Sequence, residues 1–305
     1  SSGEVLKIGI IQYAAHPSLD NCTEGFIQGL AEAGFVDGEN IQIDLQNAQG
    51  QQSTSDTMAQ TMAASNYDMI VGVATPSAMS AYAAAKEQGI PVVFTAVNDP
   101  VGAGIVQSMD APGTIATGTS DALNLEGQLQ MIRAFLPDAK TIGILYTTSE
   151  PNSVANLEAF QELAPQYGFE VVAQGITSEN EVANGAAALV AKGVDCVNNF
   201  TDNNVVNNLG VLLHETDAAG IPVFGSEIEQ VKNGCVASES LDYVALGVQT
   251  GQMAAEILNG ADPAGMAVQV IDSSEPCYSQ ANCDKLGVTV PADYASASNV
   301  DTEAE

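Results

Sequence analysis

The chain has 305 residues, enough for two domains of ordinary size, and 46% of them are apolar, enough for a sizeable core in each. It carries 38 acidic side chains against 7 basic ones, a formal net charge of -31. That balance excludes nucleic acid, whose phosphates must be met by Lys and Arg, and it excludes docking on anionic lipid. The apolar runs are only strand length, so none is expected to span a membrane. A surface this acidic favours solubility and suits a protein working outside the cytoplasm.

Strand and helix patterns alternate from the start. "VLKIGIIQY" (5–13) reads as a strand, and "CTEGFIQGLAEAG" (22–34) as a helix stopped by Gly34. Strand 40–48, helix 53–65, strand 67–74, helix 75–89 and strand 90–97 follow, then a further strand at 114–119. A second series runs through strand 141–147, helix 153–167, strand 169–175, helix 180–192, strand 194–200, helix 203–219 and strand 221–225, with a strand-like run at 234–240. A long amphipathic helix (243–260) and a strand (267–272) close the pattern. Strands spaced by helices require crossover connections, hence an α/β protein with parallel sheets covered on both faces.

The two series repeat each other. "KIGIIQY" parallels "TIGILYT", and "GIPVVFTAVND" parallels "GIPVFGSEIE". Ile8 and Ile142 lie at the same separation as Gly34 and Gly168. The expected architecture is therefore two Rossmann-like lobes joined by a hinge of two or three crossovers. Lobe one is assigned 1–119 with 241–266, and lobe two 120–240 with 267–305.

In open parallel sheets, ligands bind beyond the carboxyl ends of the strands. In lobe one those ends carry Gln12, Tyr13, Thr75, Ser77, Thr95, Asn98 and Asp99, and the first crossover carries Asp121. In lobe two they carry Glu150, Asn152, Ser153, Thr201, Asp202, Ser226 and Glu227. Thr75 reads as a helix cap before Pro76, and Thr201 or Asp202 as another. None of the seven basic residues falls at such an end, so a phosphate or dicarboxylate is a poor ligand. An amino acid zwitterion fits both the acidic groups and the helix starts. Asp99, Asp121 and Glu150 are assigned to its ammonium, and Thr75, Ser77 and Asn152 to its carboxylate. Gln12, Asp202 and Glu227 form walls, and Tyr13 offers a ring face.

No apparatus for catalysis is evident. The sequence lacks a GxxxxGK phosphate loop, a GxGxxG after the first strand and a GxSxG elbow. His16, in "AAHPSLD", lies after the first strand, where a lone histidine is more often a polar surface residue than a ligand contact. No metal and no cofactor are expected. Cys277 and Cys283 flank "YSQAN", read as a turn-like loop. A local disulfide is open to them in an oxidising compartment, and two free thiols are the alternative.

"IPVVFTAVNDPVGAGIV", "TIATGTSD", "IGILYTTSEPNSVAN", "FTDNNVV" and "LDYVALGVQTGQMAAEILNG" resemble the solute-binding proteins of the ABC transporter family that includes tryptophan and phenylalanine binders. The similarity runs from about residue 5 to about residue 292. The resemblance implies the type I periplasmic-binding-protein fold, cleft closure on a small ligand and delivery to a membrane permease. It further implies an extracytoplasmic monomer, anchored as a lipoprotein through a cysteine upstream of this chain. Two features depart from the family pattern. Asn98 stands where Thr often precedes the Asp-Pro, and the segment 273–288 carries two cysteines. A sensor module feeding a receptor, or an enzyme on the same fold, are the alternative readings.

Overall fold

The computed structural model describes residues 5–271 and 274–302. The first stretch holds β1 (Leu6–Gln12), α1 (Pro17–Glu32), β2 (Ile41–Asn47), α2 (Gln52–Ala64), β3 (Met69–Val73), α3 (Thr75–Ala85), β4 (Val92–Thr95) and β5 (Ala116–Ser120). The second holds α4 (Leu125–Phe135), β6 (Thr141–Thr147), α5 (Pro151–Leu163), β7 (Glu170–Ile176), α6 (Val182–Ala191), β8 (Cys196–Asn198), α7 (Asn203–Asn207), α8 (Leu209–Ala218), β9 (Val223–Phe224), α9 (Ile228–Lys232) and β10 (Ala237–Ser240). Then come α10 (Tyr243–Leu258) and β11 (Gln269–Val270), and finally β12 (Glu275–Tyr278), α11 (Gln280–Leu286) and β13 (Ser298–Asn299).

The chain divides into two units, Ser1–Ala122 with Tyr243–Asp272 and Leu123–Asp242 with Ser273–Glu305. In the first, six strands lie in the order β11-β5-β4-β3-β1-β2, all neighbours parallel. In the second, the order β7-β6-β8-β9 repeats β2-β1-β3-β4. Backbone bonds from Gly225 N–H to Ala237 O and from Val236 N–H to Val223 O (2.9 and 2.8 Å) tie β10 to β9. β10 then pairs with β12, which pairs with β13. Buried apolar side chains fill the central strands β1, β3, β4 and β6, as two-sided burial in a parallel sheet requires, while the edge strands β2 and β7 are mostly partly exposed.

Helices α1 and α10 meet through glycine. A Cβ on Gly25 or Gly29 would strike the backbone carbonyls of Val244 and Val248. One on Gly247 or Gly251 would strike the carbonyls of Cys22 and Phe26. The four glycines therefore let two helix backbones touch, and this contact returns α10 to the first unit.

Several expectations need correction. The strand expected at 267–272 was assigned to lobe two, but β11 pairs with β5 through Gln269–Thr119 and Val270–Ser120, in the first unit. Its final position, Asp272, lies outside the described residues. α1 begins at Pro17 instead of 22, because proline needs no N–H partner in a first turn and its polar neighbours masked the period. α4 was not anticipated, although Asn124 accepts from Gly127 N–H (3.0 Å) and Leu129, Ile132 and Phe135 line one face.

Cys277 and Cys283 do not form a disulfide, and both are buried. "YSQAN" is not a turn but the start of α11, capped by the Ser279 hydroxyl on Asn282 N–H (3.1 Å). Cys277 belongs to the apolar cluster of Val197, Val223 and Val231, whereas Cys283 belongs to that of Phe135, Phe224 and Tyr278.

The glycine seam yields a test. Gly247→Ala places a methyl against a backbone carbonyl and is expected to cost about 1–3 kcal/mol or more. Gly210→Ala, on an exposed helix position with open space, is expected to stabilise by about 0.5–1 kcal/mol. Thermal and denaturant melts of the two variants check both signs.

Candidate ligand-binding site

In the second unit, the carboxyl end of β6 meets the start of α7 around two buried carboxylates. Asp202 is the N-cap of α7 and accepts from Val205 N–H (3.1 Å). It also accepts from the Thr147 amide (2.6 Å), the Thr147 hydroxyl (2.8 Å) and the Ser153 hydroxyl (2.7 Å). Four donors thus surround one carboxylate, and they lock the end of β6 to the next helix.

Glu150 precedes Pro151 at the start of α5 but does not cap its own helix. Its Oε2 accepts from Asn203 N–H (3.0 Å), Asn203 Nδ2 (2.9 Å) and Asn152 Nδ2 (3.3 Å). Among the described residues its Oε1 accepts only from Asn204 N–H, at 3.3 Å. The Asn152 amide is oriented by that network, because its Nδ2 faces Glu150 Oε2 and Thr201 O (3.4 Å). Its Oδ1, buried, has no hydrogen-bond donor among the described residues. Burial, then the neighbouring Asp202 charge, pushes the Glu150 carboxyl up to about 8. Burial also raises Asp202 above its ordinary value. No basic side chain is paired with either group among the described residues.

In the first unit, the backbone is strained where two neighbouring strands end. Ala74, after β3, has φ 79° and ψ 156°, a region that is essentially glycine's. Ala96, after β4, has φ 56°. Ala74, not Thr75, is the cap position, so Thr75 is the first residue of α3 and its hydroxyl caps nothing. Thr75 and Ser77 are buried at this helix start, and Ser77 shares a hydrogen bond with Ser55 (3.1 Å). At the end of β5, the buried Asp121 accepts from Asn98 Nδ2 (2.8 Å) and from the Tyr243 hydroxyl (2.7 Å). Burial pushes its carboxyl up to about 6 against the lowering pull of those bonds.

The sequence profile of the family described as ABC transporter substrate binding protein matches residues 7–300. The chain belongs to this family. It is 38% identical over 269 residues to a tyrosine-binding protein of Clostridioides difficile, covering 88% of this chain and 77% of the relative. A domain from Streptococcus pneumonia, solved in complex with L-Trp, is 34% identical with a TM-score of 0.93, covering 97% of this chain and 99% of that one. A ligand-free, open substrate-binding protein with adhesive properties from Clostridium difficile is 39% identical with a TM-score of 0.71, covering 97% and 98%. The two-unit α/β architecture is the type I periplasmic-binding-protein fold. ABC transporter substrate-binding proteins are extracytoplasmic, and among the described residues no helix is long and apolar enough to cross a membrane.

The substrate-binding protein uses several residues singled out from sequence inside one unit. Gln12 donates to Ala14 O (2.8 Å) and Asp20 (2.7 Å) and accepts from Thr23 (2.7 Å), so it ties β1 to α1. Tyr13 donates to Gly50 O (2.9 Å). Asp99 is exposed and accepts from Gly102 N–H (2.8 Å), the role of a turn carboxylate. Glu227 caps α9 by accepting from Glu229 and Gln230 N–H (2.7 and 2.9 Å). Ser153 serves Asp202. His16 is buried at the cap position of α1. Sequence reading missed Thr147 and Asn204 and placed Asn203 at the strand end without a role; these three are donors that hold the two carboxylates. The run "FTDNN", with amides just after a cap, was their signal. It also missed Tyr243, which looked like one apolar residue of a helix.

The raised carboxyls fix a pH dependence of stability. A group raised in the folded state stabilises fully below its unfolded value and loses that contribution as pH rises through its folded value. Glu150 therefore favours folding below about pH 4.5 and ceases to as pH passes about 8. Asp121 acts likewise between about 3.8 and 6. The melting temperature is expected to fall between pH 5 and pH 8, and Glu150→Gln is expected to flatten the part above pH 6. An unchanged slope in the variant contradicts this assignment.

Proposed function

We propose that this protein is the extracytoplasmic binding component of an ABC importer and that it captures an aromatic amino acid as its zwitterion. Capture is by closure of the two units on the ligand, which passes to a membrane permease. The carrying observation is the buried Asn152 Oδ1 acceptor, beside the Glu150 carboxylate: among the described residues the first has no donor and the second no paired cation. An ammonium group supplies both what the amide lacks and the charge that Glu150 lacks. The identity to a tyrosine-binding relative and to an L-Trp complex supports the aromatic class. In the first unit, the start of α3 with Thr75 and Ser77 offers helix N–H groups, which favour an anion.

The structure changes which acidic residues belong in this reading. Asp99 serves a turn, and we assign the ammonium to Glu150 because the donorless Asn152 Oδ1 belongs to a side chain whose amide already donates to it. Isothermal titration with L-tyrosine, L-tryptophan and L-phenylalanine tests the proposal. At least one is expected to bind. Asn152→Ala is expected to weaken it about 10- to 100-fold, the effect of one charged hydrogen bond, with Asp99→Ala unchanged. Absence of binding by all three, or full affinity in Asn152→Ala, overturns the reading.

A further inference from the structure

The arrangement of the two buried carboxylates leads one step further, resting on the function just proposed. Asp202 and Glu150 are both buried, and the helix α7 joins them: Asp202 caps it and Glu150 accepts from its Asn203 and Asn204 N–H groups. Their donors are not equal. The four bonds to Asp202 run from 2.6 to 3.1 Å and are shared between its two oxygens. Glu150 Oε2 has three donors, while Oε1 has one long contact, 3.3 Å, from Asn204 N–H. Each carboxylate has four donors, but those of Glu150 are longer, 2.9 to 3.3 Å; two like charges buried at one helix start disfavour each other's ionisation, and the more weakly held one takes the proton.

We propose that Glu150 carries a proton on Oε1 in the ligand-free protein and releases it to solvent when the ammonium of the ligand arrives, so that each capture event expels one proton. The ligand's fixed positive charge then does what the proton did, and the Glu150 carboxylate keeps its Asn203 and Asn152 donors. The groups facing Glu150 leave little else to titrate. Asn152 of α5 and Asn203 and Asn204 of α7 donate to Glu150 itself, while Thr147 of β6 and Ser153 of α5 donate to its neighbour Asp202 in the loop before α7. Of these only Asp202 ionises, and its shorter bonds keep it the charged member.

Binding heats separate this coupling from its alternatives. L-tyrosine and L-tryptophan are titrated into the protein at pH 7 in two buffers of different ionisation enthalpy. The slope of heat against buffer enthalpy is expected to correspond to about one proton released per ligand. Affinity is expected to rise about tenfold per pH unit between pH 6 and 8. Glu150→Gln is expected to remove the buffer dependence of any binding that remains, and the wild-type comparison decides the matter even if that variant fails to fold. Tight binding with buffer-independent heat overturns the proton coupling and leaves the proposed ligand standing. Absence of binding by both amino acids overturns the proposed ligand class and the coupling with it.

Discussion

A buried carboxylate needs compensation, and in this chain compensation by cations is scarce. There are 38 acidic side chains and 7 basic ones, and two of the basic ones, Lys232 and Lys285, pair with Glu229 and Asp217 at the surface. Arg133 stacks on Phe169 and donates to backbone carbonyls around Tyr167 and Ala139. The acidic groups at the strand ends are therefore met by neutral donors: helix N–H groups, asparagine amides and hydroxyls. Such donors hold a charge in place without neutralising it. Burial raises the Glu150 and Asp121 carboxyls against the lowering pull of those donors.

The fold delivers these groups because parallel strands all end on one side. β3 and β4 end in Ala74 and Ala96, two alanines at positive φ, and the α3 start follows the first directly. Each such residue costs about 1–3 kcal/mol and persists only where its surroundings enforce it. Here Ala74 N–H is held by Thr95 O, and the methyl-free Gly72 lets α3 lie against β3. In the second unit the equivalent strand end is secured differently, by Asp202 bridging Thr147 and Val205. The two repeats thus share strand order but not the device that sets the strand ends. One uses backbone strain, the other a multiply bonded carboxylate.

Hydrophobic periodicity and internal repetition are enough to place β1 through β9, because a buried parallel strand is a short β-branched run whatever surrounds it. The matching of Ile8 with Ile142 likewise anticipates the mirrored strand orders. The tail was less legible. β12, α11 and β13 are short, and "YSQAN" reads as a turn until Ser279 is seen to cap a helix. β11 changed units because two backbone pairings, invisible in composition, decide it. At the site, residue types were legible but their duties were not. Gln12, Asp202 and Glu227 are acceptors and donors of the right kind at the right strand ends, yet each is occupied inside its own unit. A sequence shows that a side chain can bond. It does not show that Thr23, Thr147 or Gln230 is already there to bond it. Asn152 was assigned to a carboxylate from its type, and nothing in the sequence showed that its Oδ1 would be the atom left without a donor.

The central claim is that the ligand's ammonium supplies the positive charge missing beside Glu150. Comparing L-tyrosine with 3-(4-hydroxyphenyl)propionate, which keeps the ring and the carboxylate and lacks only the amino group, tests it most directly. Titration of both into the wild-type protein at pH 7 is expected to show L-tyrosine bound at least about a hundredfold more tightly, as the loss of a charged hydrogen-bonding group from a buried site requires. Equal affinity for the two compounds would contradict the account.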